Sequence, residues 1–592
     1  MILHALKDYY NRLEADSTLE ENDRIAPYGF SREKISFCVL LGPDGSLLEV
    51  QDVRLPDGGK HSARTMTVPD RGGRSGTLIK SNFLWDNSGY ALGLDGKGKP
   101  ERSRRAFEEF RTLHRAMAAR VDDPGLRAVC AFLNQWEPER AASLPGWEEI
   151  RDKNLVFRVV PGPQQYVHDS PALKDAWLDY VSGEEDSVRG LSLVTGAEEK
   201  LARLHPLIKG VRNAQTMGAA IVSFNQESFE SYGKAQSYNA PVGMIDAFRY
   251  TTVLNRLLSD KHRHVQIGDA TVVFWAERPT PFEDELGLLL SDSAAESEQT
   301  AMRVRGFLER LRQGRVGDTI GDADVQFYVL GLSPNASRLA VRFWQAGTVR
   351  EFAGRLAQHV TDIDMAGARE DDPPLTIRRI LLATAKRLRD RPDADTIPPL
   401  LAGALARAVL TGDVYPQMLF TAVLQRARAD GRVEHPRAAI LKAYLIRKAR
   451  RAGRQEDVPV SLNEDHPNSA YHLGRLFAVL EKTQEDAGLS PTMKAHFGSA
   501  SANPVTALPR LMRLHQHHLE KLKRGKPGLA INRDRLVAAI VAHVDDLPAH
   551  LALESQGLFF IGYYHQRQAL FTKKDQSTEV AEAAPELSDE AA

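Results

Sequence analysis

PPLLAGALARAVLTG (398–412), YPQMLFTAVLQRARADG (415–431) and PRAAILKAYLIRKARRAG (436–453) decide how the second half of this chain folds. In each, apolar residues recur with a 3.6-residue period, proline stands at or near the start, and glycine closes the run. That spacing places the apolar side chains on one face of an α-helix, and the punctuation marks its ends. The same period continues on both sides. Upstream lies PLTIRRILLATAKRL (374–388); downstream lie SAYHLGRLFAVLEKTQ (469–484), ALPRLMRLHQHHLEKLKRG (507–525) and DRLVAAIVAHVDDLPAHLALESQGLFFIGYYHQRQALF (534–571). Short connections between such segments predict an antiparallel helical bundle over 371–574, with no strands in it. The Ala/Glu/Ser/Asp-rich end, 575–592, reads as a disordered acidic tail.

Before residue 370 the pattern is mixed. A helix is expected over 1–14, then two strands, KISFCVLL (34–41) and LLEVQDVRL (47–55), around the turn Gly42-Pro43-Asp44-Gly45. Residues 56–77 read as a glycine-rich loop. ERSRRAFEEFRTLHRAMAARV (101–121) has helical spacing, NLVFRVVP (154–161) and TVVFWA (271–276) are strand-like, and 323–330 and 338–345 read as paired strands around GLSPNAS. The whole is an α+β chain: an N-terminal mixed region with β-hairpins over 1–370, followed by the bundle.

Composition narrows the class. The 592 residues leave room for about three or four domains. Two cysteines, Cys38 and Cys130, cannot build a disulfide scaffold or a four-thiolate metal site. No run of about 18 apolar residues exists, so no membrane partner is expected. A soluble protein of the cytoplasm is the expectation. The 77 basic and 78 acidic residues nearly cancel, yet they are segregated. Bases dominate Arg426–Arg454 and Arg510–Arg535, and acids dominate the end. Such segregation in a neutral chain points to a strongly charged partner, nucleic acid above all.

Catalytic patterns are missing. Gly93-Leu-Asp-Gly-Lys-Gly98-Lys99 has P-loop spacing, but Pro100 stands where a Mg²⁺-binding hydroxyl is needed, so a surface turn is the reading. His515, His517 and His518 have no acidic or thiolate companion and read as a polar helix face. Asp545-Asp546, near His543 and His550, reads as a helix boundary at Pro548 rather than a nuclease site. No catalytic residue, metal ligand or cofactor site is expected. By contrast SFNQESFESYGKAQSYNAPVG (223–243) interleaves Phe224, Phe229, Tyr232 and Tyr238 with amides and Lys234. That mixture suits contact with bases and backbone.

MILHALKDYYNRL (1–13), IAPYGFSREKISFCVLLGPDGSLLEV (25–50), SFESYGKAQSYNAPVGMIDAFRYTTVLNRLL (228–258), VLGLSPNASRLAVRFWQAGTVREF (329–352) and LFFIGYYHQRQALF (558–571), in this order, resemble blocks of the large subunit of the subtype I-C CRISPR interference complex, Cascade. The resemblance implies a non-enzymatic partner of CRISPR RNA and target double-stranded DNA. Such a subunit reads a short protospacer-adjacent motif (PAM) in the duplex and helps to open it into an R-loop. It also holds the displaced strand, then recruits a separate helicase–nuclease. It implies further partners: the backbone and RNA-processing subunits, and a small subunit that the end of the bundle resembles. The guide reads sequence and the protein reads the PAM, a division described for another RNA-guided effector.

Within that frame the candidate PAM loop is 58–82, with Lys60, Arg64, Arg71, Arg74, Lys80 and Asn82. Lys234, Gln236 and Asn239 form a second group, and Asn335 and Arg338 suit contact with RNA or with a neighbouring backbone subunit. The displaced, non-target strand is expected along Arg447, Lys448, Arg450, Arg451 and Arg454, and along Lys521, Lys523, Arg524 and Lys526. The alternatives are a stand-alone metal-dependent nuclease and a helical scaffold that binds only proteins.

Overall fold

The computed structural model of the chain describes residues 2–19, 24–57, 60–72, 78–162, 165–183, 188–290, 298–313, 321–369, 372–389, 391–455 and 458–582. Its architecture is α+β. FCVLL contains no charged residue, and the strand Phe37–Leu41 is buried along its whole length. It pairs antiparallel with Leu47–Asp52 and parallel with Asn154–Val159, and Trp85–Asn87 completes a four-stranded sheet. Successive side chains of a strand point to opposite faces. Phe37, Val39 and Leu41 therefore enter one core, against Phe107, Phe110 and Leu113 of the helix Pro100–Ala118 and Phe132 of the helix Pro124–Gln135. Cys38 and Leu40 enter a smaller one with Ile35, Met66, Val68 and Trp85.

The loop expected over 56–77 is strand in most of its described part. Leu55–Asp57 pairs with Lys60–Ser62, and Arg64–Pro69 pairs antiparallel with Phe30–Ile35. Met66 and Val68 point inward while Thr65 and Thr67 stay half-buried. This is a two-residue period, hidden in the sequence by the glycines and prolines around it.

The chain divides into two compact units, Met1–Asp260 with Pro334–Ala340, and Lys261–Ser333 with Val341–Ala592. The pattern change near residue 374 thus falls inside the second unit, where sheet and helices share one hydrophobic core. That sheet has the order His264–Ile267, Ala270–Ala276, Gln326–Asn335, Arg338–Thr348. Phe274 and Phe327 face Phe282 and Phe352 in the core, while Trp275, Tyr328 and Trp344 stack on one another. The strands run further than expected: GLSPNAS is mostly strand, and the reversal narrows to Ala336, at φ 54°, and Ser337.

Helices Leu401–Thr411, Gln417–Asp430, His435–Arg451, Ser469–Asp486, Pro504–Gly525, Pro527–Val541 and Leu553–Glu582 build the rest. Gly412 and Gly431 stop two of them in the left-handed conformation that glycine tolerates best. The expected helix over 374–388 stops at Leu382. Arg389 takes a φ of 57°, and Lys386–Leu388 pairs with Arg391–Asp393, so the bundle region does contain strands. Ser469–Asp486 and Leu553–Glu582 touch backbone to backbone. A Cβ on Gly474 would lie 1.8 Å from the Phe559 carbonyl oxygen, and one on Gly562 2.0 Å from that of Tyr471. Glycine is the one residue that permits such an approach. The last helix runs on to Glu582 through part of the expected tail, and residues 583–592 lie outside the described residues.

Candidate nucleic-acid interface

Tyr232 and Gly233 adopt φ of 54° and 66°, the signs that a tight type I′ reversal needs at its two central positions. The Ser231 carbonyl accepts the Lys234 N–H at 3.0 Å and closes the turn. The turn is braced from behind. Asn239 Oδ1 accepts the Ser231 N–H at 2.8 Å, and its Nδ2 donates to the carbonyls of Lys234 and Gln236 at 2.6 and 2.9 Å. Glu230 accepts the Gln236 N–H at 2.8 Å, and Arg203 donates to Gln236 Oε1 at 2.7 Å. Tyr232 and Gln236, the latter at φ 49°, sit in backbone conformations that cost a non-glycine residue roughly 1–2 kcal/mol each. The bracing bonds offset that strain. What the turn displays is a tyrosine with 98% of its surface exposed, next to exposed Lys234.

The tip of the 326–348 hairpin belongs to the same compact unit as this turn. Ala220 donates its N–H to the Ser337 carbonyl at 3.2 Å and accepts the Leu339 N–H at 2.9 Å. This pairing carries Arg338 over Phe229, with the guanidinium carbon 4.6 Å from the ring centre. Phe224, Phe229, Asn335 and Arg338 line an open cleft of about 550 Å³. The polar segment and the hairpin tip thus meet at Phe229 and Arg338, while Lys234, Gln236 and Asn239 do not line the cleft. Their roles differ from the expected ones, because Gln236 and Asn239 are occupied within the loop as braces. The outward-facing groups are Tyr232, Lys234, Asn335 and Arg338. Composition drew attention to Tyr232 and Phe229, but no sequence signal distinguished them from ordinary loop residues.

The expected PAM loop fares differently. Arg71 pairs with Glu109 at 3.1 Å, donates to the Tyr180 hydroxyl at 3.2 Å and lies over that ring. Asn82 is buried, and its N–H is held by Asp86 at 2.9 Å. Neither is available to enter a groove. Arg64 sits half-buried on a paired strand opposite Ile35, and Lys80 is half-buried. Arg74 and the side chain of Lys60 lie outside the described residues.

In the bundle the two basic strips are physically unlike. Arg447 is buried. Its Nε donates to Asp362 at 2.8 Å, and its NH1 donates to the carbonyls of Ala408 and Asp413 at 3.1 and 2.7 Å; its guanidinium lies over Tyr415. Arg450 also pairs with Asp362, Lys448 with Glu554 and Arg451 with Asp413. Only Arg454 is exposed with no ion pair seen among the described residues. Arg447 is therefore a buried pin, while Lys448, Arg450 and Arg451 keep exposed side-chain surface with an acid beside each. Lys521, Lys523, Arg524 and Lys526 are all exposed, with no ion pair among the described residues. Arg510, Arg513 and His517 are exposed on the same helix, Pro504–Gly525. With Lys521 and Arg524 they recur every three or four residues, one continuous face.

His515 and His518 do not form a polar face; both are buried, and both His515 nitrogens lack a hydrogen-bond partner among the described residues. Burial holds the His515 pKa at about 4, so the ring is neutral. Gly93–Lys99 is a turn with Gly93 and Gly98 at positive φ, leading into the helix at Pro100. Among the described residues no three His, Cys, Asp or Glu side chains gather as a metal site. No described helix is long and apolar enough to cross a membrane.

A family model described as CRISPR-associated protein (Cas_Csd1) matches residues 6–571. No curated protein matches the sequence.

Proposed function

The chain belongs to the CRISPR-associated Cas_Csd1 family, and on that premise we propose that it is the large subunit of a type I-C RNA-guided surveillance complex. In this reading it carries no active site. It grips duplex DNA at the PAM, helps to open it, holds the displaced strand, and offers the complex to a helicase–nuclease. Its partners are CRISPR RNA, target DNA, the backbone and RNA-processing subunits, and the small subunit.

One observation carries the reading: a fully exposed aromatic ring on a braced turn, beside an exposed lysine with no ion pair among the described residues. A ring displayed in this way offers a face on which a nucleobase can stack. A side chain wedged between base steps unstacks them at a cost of about a few kcal/mol. Lys234 attracts the adjacent phosphate, and Tyr232 replaces the lost stacking with its own ring. Opening then needs little further driving force, because the RNA–DNA hybrid is about as stable as the duplex it replaces. A rigid turn suits this role, since no ordering entropy is lost on binding. The four exposed cations at 521–526, without ion pairs among the described residues, would follow the released strand by charge alone.

The test is co-purification with CRISPR RNA and the other subunits, followed by gel shifts of matched duplexes with and without a PAM. The reading expects assembly and tighter binding of the PAM-bearing duplex. Failure to assemble, or metal-dependent cleavage by the chain alone, contradicts it.

A further inference from the structure

We propose that the cleft between the 221–240 segment and the hairpin tip 334–340 is a binding site for one unstacked nucleobase. The inference rests on the role in nucleic-acid binding proposed above and names a ligand for a second part of the same interface. The cleft is open and has a volume of about 550 Å³, room for one base. Its walls supply the chemistry a base needs. Phe224 and Phe229 are half-buried rings whose remaining surface lines the cleft. Arg338 lies over the Phe229 ring at 4.6 Å, and both line the opening. Bases stack on aromatic rings and on guanidinium planes alike. Asn335 and Ser223 also line the cleft, and an amide and a hydroxyl can donate to and accept from a base edge.

Position adds to the argument. Phe229 precedes the exposed Tyr232 by one short turn of chain, so cleft and turn belong to one braced loop. A base displaced at Tyr232 would be released beside a surface built to receive it. Capture there would keep the opened step from closing. The chemistry required is that of any unpaired base, so target DNA and guide RNA are both possible sources, and the test separates them.

In the assembled complex, 5-iododeoxyuridine is placed in turn at each position of either DNA strand near the PAM. In a second arm, 5-iodouridine is placed along the guide RNA. After irradiation, the crosslinked peptide is mapped. The expected result is a crosslink to Phe224 or Phe229 from one position in one strand, whose identity names the source. Phe229→Ala should abolish a crosslink at that ring and, where the source is target DNA, weaken binding of pre-opened target by about tenfold, while Phe229→Tyr, which keeps the ring, should retain both. Absence of any crosslink to these rings in the wild-type complex, in both arms, overturns the proposal whether or not the variant folds. A complex that ignores the PAM yet crosslinks at Phe229 refutes the PAM reading and leaves the cleft standing. One that discriminates the PAM without this crosslink does the reverse.

Discussion

Replacing Lys521, Lys523, Arg524 and Lys526 together by glutamine should change how DNA binding responds to salt while leaving the fold unaltered. All four cations are exposed and lack ion pairs among the described residues, and surface substitutions of that kind shift stability by about 0.5 kcal/mol or less. Binding is another matter. Each phosphate neutralised on a single strand contributes about 0.7 to the slope of log K against log salt, so four contacts contribute about 2.8. Between 50 and 200 mM salt that slope corresponds to a loss of about fiftyfold in affinity, which the substituted complex would no longer suffer. The assay is equilibrium binding of the assembled complex to a fully opened target over that salt range. A slope that stays within about 0.5 of the wild-type value would show that these cations do not touch the strand.

The first strip should respond in the opposite way: Arg447→Met removes the buried arginine that pairs with Asp362 alongside Arg450 and the donor to the Ala408 and Asp413 carbonyls, and should lower unfolding free energy by roughly 1–3 kcal/mol, seen in denaturant titration, with the salt slope unchanged. Gly474→Ala should destabilise by about 1–3 kcal/mol or more, because its Cβ would meet the Phe559 carbonyl at 1.8 Å. Gly403→Ala, on a helix with nothing within 4 Å of the new methyl, should stabilise by up to about 1 kcal/mol, and equal effects from the two would refute the close-contact argument. Burial holds His114 at about 4 and His359 at about 3, against about 6.5 in the unfolded chain. The unfolded state therefore binds more protons between those values, and stability falls as pH drops below 6.5. The decline is up to about 1.4 kcal/mol per pH unit for each such histidine, and denaturation midpoints that stay level from pH 7 to pH 5 would contradict it.

Local periodicity made most of the fold legible. FCVLL and the Pro-to-Gly helical runs announce themselves because their signal lies within a few residues. The Lys386–Leu388 hairpin escaped because the helix-like apolar spacing continues to Leu388, past Leu382 where the helix ends. Charge was the poorest guide. Arg447 and Arg524 look alike in a basic run, yet one reaches Asp362, 85 residues away, and the other reaches no acid among the described residues. His515 and His518 read as polar because nothing in their neighbours reveals that their helix turns that face inward. The interface was legible as composition and not as geometry. Aromatics and amides marked 223–243. Only folding shows that Asn239 braces, that Tyr232 projects, and that Arg338 arrives from a separate hairpin to cover Phe229.

The most direct test of the central claim is the affinity of the assembled complex for a PAM-bearing closed duplex and for the same target already melted, measured with wild type and with Tyr232→Ala. If the ring holds the first step open, the variant should lose on the order of tenfold on the closed duplex, about the worth of one stacking contact, and almost nothing on the melted target. Equal losses on both, or none on either, would contradict a duplex-opening role for this chain's exposed turn.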